Sequence, residues 1–184
     1  MEEKTDIAEL TYGIRRLEQH EKVTSFDCGD ADLNDFILNE SVLYRKALLA
    51  VSYTVEDNTG QTIGYFSLAN DRVSLTDFES NTEFNRFRRH RFVNEKRLKS
   101  YPAVKICRLG IELSIKGCGI GSELLDFIKS YFIINNKTGC RFITVDAYAS
   151  AIPFYLKNGF APLTTDDADE HTRLLYFDLD EVIE

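Results

Sequence analysis

The first half of the chain alternates short apolar runs with polar breaks, a pattern typical of small mixed α/β folds. Weak alternation over Thr11–Leu17 predicts an opening strand. After a break at Phe26–Gly29, Asp30 has the chemistry of a helix N-cap, and a second helix is predicted from Ser41 to Ala47. The apolar face of the first helix carries Leu33, Phe36 and Ile37.

Two further runs, Leu48–Val55 and Thr62–Leu68, are rich in apolar, β-branched and aromatic residues and flank the turn residues Asp57–Gly60. Strands on either side of an Asn/Gly turn form a β-hairpin, so a hairpin is predicted here. Ala103–Leu113 then predicts a long strand, and a glycine-rich turn follows it.

The helix after that turn has the clearest 3.6-residue periodicity in the chain. Its apolar stripe is predicted to hold Ile120, Leu124, Leu125, Ile128, Tyr131 and Phe132, with Glu123, Asp126 and Lys129 facing away. Phe142–Val145 predicts a strand, Ser150–Lys157 a helix ended by Asn158-Gly159, and Phe160–Leu163 and Leu174–Leu179 the closing strands. The predicted order, β α α β β β α β α β β, is that of one mixed α/β domain over residues 1–184.

The composition is that of a globular protein. Of the 184 residues, 43% are hydrophobic and 28% are charged, which excludes a disordered chain, a fibre and a disulfide-stapled miniprotein. No stretch approaches the ~20 apolar residues of a membrane span. The Met-Glu-Glu-Lys start lacks the apolar core of a signal peptide, so the expected location is the cytoplasm.

One basic stretch departs from the acidic background. The net charge is −8, yet Arg86–Lys99 holds seven cations and one acid. This stretch is either a solvated, partly helical surface or an anion-binding face for the phosphates of a nucleotide or RNA. On the second interpretation, Arg88, Arg89 and Arg91 are candidate residues for binding the substrate.

The cysteines and histidines form no recognisable metal-binding pattern. None of the four cysteines (Cys28, Cys107, Cys118 and Cys140) is spaced as CxxC, and the three histidines are scattered. Because a zinc site needs clustered ligands and a disulfide framework needs an oxidising compartment, we expect reduced, mostly buried thiols and no metal.

The glycine-rich turn reads Lys116-Gly117-Cys118-Gly119-Ile120-Gly121. Glycine permits positive φ and close approach of a ligand, and the first amides of a helix stabilise a pyrophosphate. The alternative is a tight structural turn. A Walker loop is excluded because Gly121-Ser122-Glu123 lacks Gly-Lys-Ser/Thr. Ile115 stands where methyltransferases that bind S-adenosylmethionine usually carry an acid, which disfavours that class.

Two motifs resemble the GNAT superfamily of acetyl-CoA-dependent N-acetyltransferases. The turn is similar to its Gln/Arg-x-x-Gly-x-Gly/Ala signature, and Ala151–Phe160 is similar to its Ala-x-x-Phe-Tyr-x-Lys-x-Gly-Phe motif. Phe26-Asp27-Cys28-Gly29…Leu33 and Arg108-Leu109-Gly110-Ile111 resemble the branch of GNAT toxins that acetylate aminoacyl-tRNA. The resemblance implies one GNAT-type α/β domain with a central mixed, mostly antiparallel sheet flanked by helices.

The resemblance also implies a role for each motif residue. The backbone of Ile111, Glu112 and Leu113 would pair with the pantetheine arm of acetyl-CoA, the acyl-donor substrate. The pyrophosphate would be held by Lys116, Gly117, Cys118, Gly119, Ile120, Gly121 and Ser122. Tyr155 would be the general acid that protonates the CoA thiolate after direct attack by a primary amine in a ternary complex, unless it is only a core aromatic.

Three positions depart from the family pattern. Lys116 replaces Gln or Arg, Tyr148 replaces an Asn that often contacts the cofactor, and Lys105 stands where some members carry a glutamate base. The base is then Glu112, a water chain, or nothing beyond a partly neutral amine. An α-amine, with a pKa near ~8, needs less help than a lysine near ~10.4, which favours an α-amine acceptor.

Several functions remain open at this point. The acceptor is the α-amine of aminoacyl-tRNA, a small amine, a peptide or a protein N-terminus. The toxin branch adds a homodimer and an antitoxin as candidate partners. The competing class is a non-catalytic acyl-CoA-binding or partner-binding module with the same fold.

Overall fold

The computed structural model describes residues 11–134, 138–164 and 171–182. Strands β1 to β7 are Tyr12–Arg16, Val51–Asp57, Thr62–Ser74, Ser100–Ile111, Phe142–Tyr148, Ala161–Pro162 and Thr172–Asp178. Helices α1 to α5 are Ala31–Asp35, Ser41–Lys46, Asn81–Arg91, Ile120–Ile133 and Ile152–Lys157. A π-helical turn, Phe36–Glu40, connects α1 to α2. The Asp30 side chain accepts from the Leu33 amide at 3.0 Å, so the predicted N-cap is confirmed.

The seven strands form one sheet in the order β1-β2-β3-β4-β5-β7-β6. β1 pairs antiparallel with β2, and β7 pairs antiparallel with β5 and β6. β4 and β5 pair in parallel over Ala103–Lys105 and Phe142–Thr144, which makes the sheet mixed. The predicted mixed, mostly antiparallel sheet flanked by helices is therefore confirmed.

The chain divides into two compact units. The first takes the chain up to Ser67 together with Arg108–Ile120, and the second takes Leu68–Cys107 together with the chain from Gly121 onward. In the first unit, the ring of Tyr65 meets that of Phe26 edge-on, with 5.2 Å between centroids, and its hydroxyl donates to the Leu33 carbonyl at 2.7 Å. Its core residues are Leu17, Val23, Phe26, Cys28, Phe36, Ile37 and Tyr65.

The second unit has an aromatic core beneath α3. Phe84 and Phe87 are buried on the inner side of this helix, and Phe87 packs against Phe142 with 5.5 Å between ring centroids. The Ser80 hydroxyl accepts from the Glu83 amide and caps the helix. The core residues are Val73, Phe84, Phe87, Tyr101, Ala103, Phe142 and Leu163.

The predicted element order is wrong in one respect, because it omits α3. Six of the eleven residues of α3 lie in the basic stretch Arg86–Lys99, for which the sequence indicates partial helicity but no defined helix. The predicted strand over Leu48–Val55 also begins too early. Leu48 has φ 57° and its amide donates to the Arg45 carbonyl, so Leu48 belongs to the end of α2 and β2 starts at Val51.

The predicted stripe of α4 is correct for its buried aliphatic residues but wrong at two positions. Tyr131 is 47% exposed, whereas Lys129 is 9% exposed. The Lys129 Nζ lies 4.3 Å from the centroid of the Phe177 ring and donates to the Asn158 carbonyl at 2.8 Å. A long side chain can bury its stem while its ammonium finds a local acceptor, which a simple polar/apolar pattern does not capture.

All four cysteines are free thiols, but only Cys28 is buried. Cys107 and Cys140 are half-buried and Cys118 is exposed, so the expectation of mostly buried thiols is wrong. Within the described ranges, no group of three or more His, Cys, Asp or Glu side chains is placed to hold a metal ion. Among the described helices, none has the length and apolar character that crossing a bilayer requires.

Candidate functional site

The two residues that follow β4 make backbone hydrogen bonds to two other segments of the first unit. The Glu112 amide donates to the Ile63 carbonyl at 2.9 Å, and the Leu113 amide donates to the Asp27 carbonyl at 2.8 Å. Because backbone groups of successive strand residues point to opposite edges, the Ile111 backbone is directed away from β3. The amides of Glu112 and Leu113 are thus engaged within the chain, and the Ile111 backbone groups point to the opposite edge of the strand.

The Glu112 side chain has a local role. Its carboxylate accepts from the Ser114 amide at 3.0 Å and from the Ser114 hydroxyl, which caps the short helical turn Leu113–Ile115. Both bonds go to Oε2 of the carboxylate that the sequence leaves open as a candidate base.

The loop from Lys116 to Ser122 has the backbone of an anion-binding turn. Gly117 and Gly119 both have φ +91°, and no atom lies within 4 Å of where a Cβ would stand at either residue. In the described part of the chain, no amide of residues 119–122 donates to a group outside α4. The first amides of a helix lack intrahelical acceptors, and alternating left-handed residues form concave amide nests that bind anions. The loop can therefore bind a pyrophosphate.

Lys116 connects this loop to the Phe26–Gly29 segment. Its Nζ donates to the Cys28 carbonyl at 3.4 Å, and the segment is itself held by Asn34, whose Oδ1 accepts from the Cys28 amide at 2.9 Å. The Asp27 carboxylate accepts from the Gly29 amide and from Asn34 Nδ2, both at 2.8 Å. The Gly29 bond, followed by the Asn34 bond, holds the pKa of Asp27 below its usual value. Sequence reasoning did not single out Asn34.

Tyr155 lies in the second unit, on α5. The ring is 5% exposed and packs edge-on against Phe154 and Phe160, at centroid distances of 5.1 and 5.3 Å. Its hydroxyl makes no hydrogen bond to any residue in the described ranges. Burial raises the pKa of Tyr155 well above its ordinary value, because it disfavours the phenolate. A protonated phenol free of intramolecular bonds can serve as a proton donor.

Lys105 and Tyr148 lie on β4 and β5 of the second unit. Burial alone would lower the pKa of Lys105, but its hydrogen bond and charge pairing with Asp146 raise the pKa above the usual value. Lys105 is therefore a paired cation, not a base. Tyr148, at the end of β5, is 43% exposed.

The structure separates the three arginines predicted to bind substrate. Arg91 forms an ion pair with the buried Asp178, with Nε 3.2 Å from Oδ2, and lies 4.1 Å from the Phe87 centroid. Arg88 donates to the Leu98 carbonyl at 3.0 Å, and Arg89 is exposed. Arg91 and Arg88 are thus both half-buried and engaged in the fold, whereas Arg89 is exposed.

Residues 90–179 match the acetyltransferase (GNAT) domain family. This segment, just under half of the 184 residues, is similar to a GNAT acetyltransferase domain. The match covers the Gly117–Gly121 loop and the Phe154-Tyr155 motif, on which the resemblance was based.

Solved structures share the fold over nearly the whole chain. AtaT complexed with acetyl-methionyl-tRNAfMet is 23% identical with a TM-score of 0.71, and the alignment covers 94% of this chain and 98% of that one. AtaTR bound with AcCoA is 23% identical with a TM-score of 0.72, covering 94% and 96%. A mutant of KacT, with a tyrosine changed to phenylalanine, is 22% identical with a TM-score of 0.73, covering 94% and 97%. At these identities the likeness establishes a shared GNAT fold.

Proposed function

We propose that the protein is an N-acetyltransferase that transfers the acetyl group of acetyl-CoA to the α-amine of an aminoacyl-tRNA. The amine attacks the thioester directly in a ternary complex, and residues 1–184 act as one GNAT-type domain. The observation that carries the proposal is the backbone of the loop at the start of α4, where two left-handed glycines precede amides that have no acceptor outside α4 among the described residues. Such a backbone is suited to binding a pyrophosphate.

The donor-binding roles follow from the backbone. Gly117 and Gly119 leave open space at their Cβ positions, so the phosphates can approach the loop main chain, including Cys118, Ile120, Gly121 and Ser122. Lys116 adds a positive charge, although it lacks the bidentate fork of arginine. Ile111 is the residue at the end of β4 that offers both backbone groups to the pantetheine amides, because the amides of Glu112 and Leu113 are already engaged.

Tyr155 supplies the proton that the departing CoA thiolate requires. Its raised pKa keeps the phenol protonated at neutral pH, and its hydroxyl has no competing acceptor among the described residues. Transfer of this proton during collapse of the tetrahedral intermediate is general acid catalysis. The acceptor amine must lose its own proton before attack. With Glu112 bonded to Ser114 and Lys105 paired with Asp146, a partly neutral α-amine is the acceptor that fits.

The aminoacyl-tRNA assignment is supported by the structural neighbours, since AtaT is solved with acetyl-methionyl-tRNAfMet. An acceptor of this kind places the protein in the cytoplasm, with the tRNA pool. AtaT is also solved bound to the C-terminus of the antitoxin AtaR, and on this likeness we extend the proposal to an antitoxin partner. The other candidate acceptors are small amines, peptides and protein N-termini.

The test measures thiol release from acetyl-CoA with a panel of acceptors: aminoacyl-tRNA, an N-terminal peptide and a small primary amine. We expect turnover with aminoacyl-tRNA, which is lost when the α-amine is blocked. Turnover only with the other amines would overturn the acceptor. Binding of acetyl-CoA without turnover on any amine would favour the non-catalytic acyl-CoA-binding module, and no binding at all would overturn the whole proposal.

A further inference from the structure

A groove of about 500 Å³ runs along one side of α3 in the second unit. We call it the α3 groove, and its polar lining includes Arg72, Ser74, Asn81, Asn85, Arg88 and Lys99. Asn81, Asn85 and Arg88 are spaced i, i+4 and i+7, so they share one face of the helix. Arg72 comes from β3, and Lys99 from the turn that enters β4. A volume of this size lies within the range of ligand sites.

The charge of the α3 groove is uniformly positive. Of the described residues that line it, three are cations and none is acidic, although the net charge of the chain is −8. A groove of about 510 Å³ on the opposite side of α3 differs, since its lining includes Glu83, and its Arg91 is already paired with Asp178. Like charges gathered in one groove repel each other unless an anion binds there.

Arg88 gives the groove a fixed donor. Its Nη1 bonds to the Leu98 carbonyl, and its guanidinium carbon lies 5.2 Å from the centroid of the Phe84 ring, which holds the side chain in place. Its Nε is buried and has no acceptor among the described residues. A phosphate oxygen is a strong acceptor for guanidinium N–H groups, so a guanidinium held in the wall of the groove favours a bound phosphate.

We infer that the α3 groove binds the phosphate backbone of the acceptor RNA, an inference that rests on the proposed function. The groove offers cations, hydroxyls and amides, and Phe84 in its wall is only 4% exposed, so the face of its ring is not presented for base stacking. Such groups contact phosphate and sugar, and they position a nucleic acid without reading its sequence. In this inference the RNA-binding cations are Arg88, Arg72 and Lys99, in place of the three arginines predicted from the sequence.

The experiment compares two groove variants with a charge-matched control. The first is Arg72→Ser/Lys99→Ser, which changes only exposed side chains, and the second adds Arg88→Ser. The control, Arg16→Ser/Lys22→Ser/Lys46→Ser, removes three exposed cations of the first unit. Binding of labelled, deacylated tRNA is followed by anisotropy at several salt concentrations, and acetyl-CoA binding by calorimetry. We expect the double variant to lower the salt slope by about 2 and to weaken tRNA binding about tenfold or more at low salt.

An unchanged salt slope in both groove variants would overturn the inference. Equal weakening in the control would also overturn it, because it would show an effect of total charge. Binding of inorganic pyrophosphate to the same variants is measured as well. If the groove variants lose pyrophosphate binding but keep tRNA binding, the groove is a site for a small phosphorylated ligand. If the groove variants lose tRNA binding but still acetylate a peptide, the result supports RNA binding by the α3 groove. This conclusion would hold even if aminoacyl-tRNA were not the acceptor in the proposed function.

Discussion

The Leu113 amide donates to the Asp27 carbonyl at 2.8 Å, a bond between two motifs that lie far apart in the sequence. The Leu113 side chain also lies 3.1 Å from where a Cβ would stand on Gly29, which has φ +79°. With the bond from Lys116 to Cys28, these contacts hold the Phe26–Gly29 segment beside the end of β4. The Phe26–Gly29 segment thus holds the residues that lead into the Lys116–Ser122 loop, and all of these contacts lie within the first unit.

Gly119→Asp should abolish acetyl-CoA binding. Gly119 has φ +91°, where a side chain costs about 1–2 kcal/mol, and a carboxylate there repels the pyrophosphate. Calorimetry measures the loss. Gly60→Asp is the matched control, because Gly60 also has open space and φ +83° but lies in the β2–β3 turn. Loss of binding in both variants would contradict a local role for Gly119.

Glu112→Gln should lower kcat less than about tenfold. One oxygen of the Glu112 carboxylate accepts from both the Ser114 amide and the Ser114 hydroxyl, and the side-chain oxygen of glutamine can still accept these bonds. Loss of a true general base costs ~10²–10⁴-fold. The pH profile of kcat with an α-amine acceptor measures the difference. A fall of a hundredfold or more, with loss of the acidic limb, would make Glu112 the base.

The glycine turn before α4 could be predicted from sequence because its backbone conformation is a local property. Glycines between a strand and a periodic helix are constrained by backbone geometry, which Gly117 and Gly119 display directly. The hairpin turn with Gly60 and the helix end at Gly159, with φ +83° and +86°, were found for the same reason. These signals need only neighbouring residues.

The arginines of α3 could not be sorted from sequence, because their roles depend on distant partners. Arg91 is engaged by Asp178, 87 positions away, and Arg88 lies in a groove with Arg72. The helical pattern puts Lys129 on the solvent face. The structure buries it because its ammonium bonds to the Asn158 carbonyl, 29 positions later, and the pattern of α4 alone does not reveal this acceptor. A periodic pattern indicates which face of a helix carries a residue, but it contains no information on partners that are distant in the sequence.

Arg91→Ser should destabilise the fold by about 1–3 kcal/mol, because it removes an ion pair to a buried carboxylate and a cation–π contact with Phe87. Asp178 keeps Arg141, with Nε 2.6 Å from Oδ1, which limits the loss. Urea unfolding measures the effect. Arg89→Ser is the control for stability and should stay within about 0.5 kcal/mol, since Arg89 is exposed. Equal stabilities of the two variants would place Arg91 among the merely solvated cations.

Lys129→Met should reduce stability by about 1–2 kcal/mol and lower kcat without changing the KM for acetyl-CoA. The ammonium holds the Asn158 carbonyl at the end of α5, the helix that carries Tyr155. Asp126→Asn is the control, because it removes only the 3.5 Å pair between Lys129 and an exposed carboxylate. Melting curves and steady-state kinetics measure both effects. Unchanged kcat in a destabilised Lys129→Met protein would limit Lys129 to a structural role.

Tyr155→Phe should lower kcat toward the lower end of the ~10²–10⁴-fold range of general acids, because a CoA thiolate is already a fair leaving group. Stability should hold, since the ring keeps its packing on Phe154 and Phe160 and the hydroxyl makes no hydrogen bond to a described residue. Acetyl-CoA affinity should change little, because the hydroxyl is needed when the thiolate departs.

The pH dependence gives a second measurement on Tyr155. Burial raises its pKa, so the acid form persists below that raised value and is lost only above it. The wild type should therefore show no loss of kcat through Tyr155 between pH 7 and about 10. Tyr131→Phe, on the exposed side of α4, is the control for removing a phenol. A folded Tyr155→Phe protein with the kcat of the wild type would exclude Tyr155 from the mechanism, provided that acetyl transfer limits the rate.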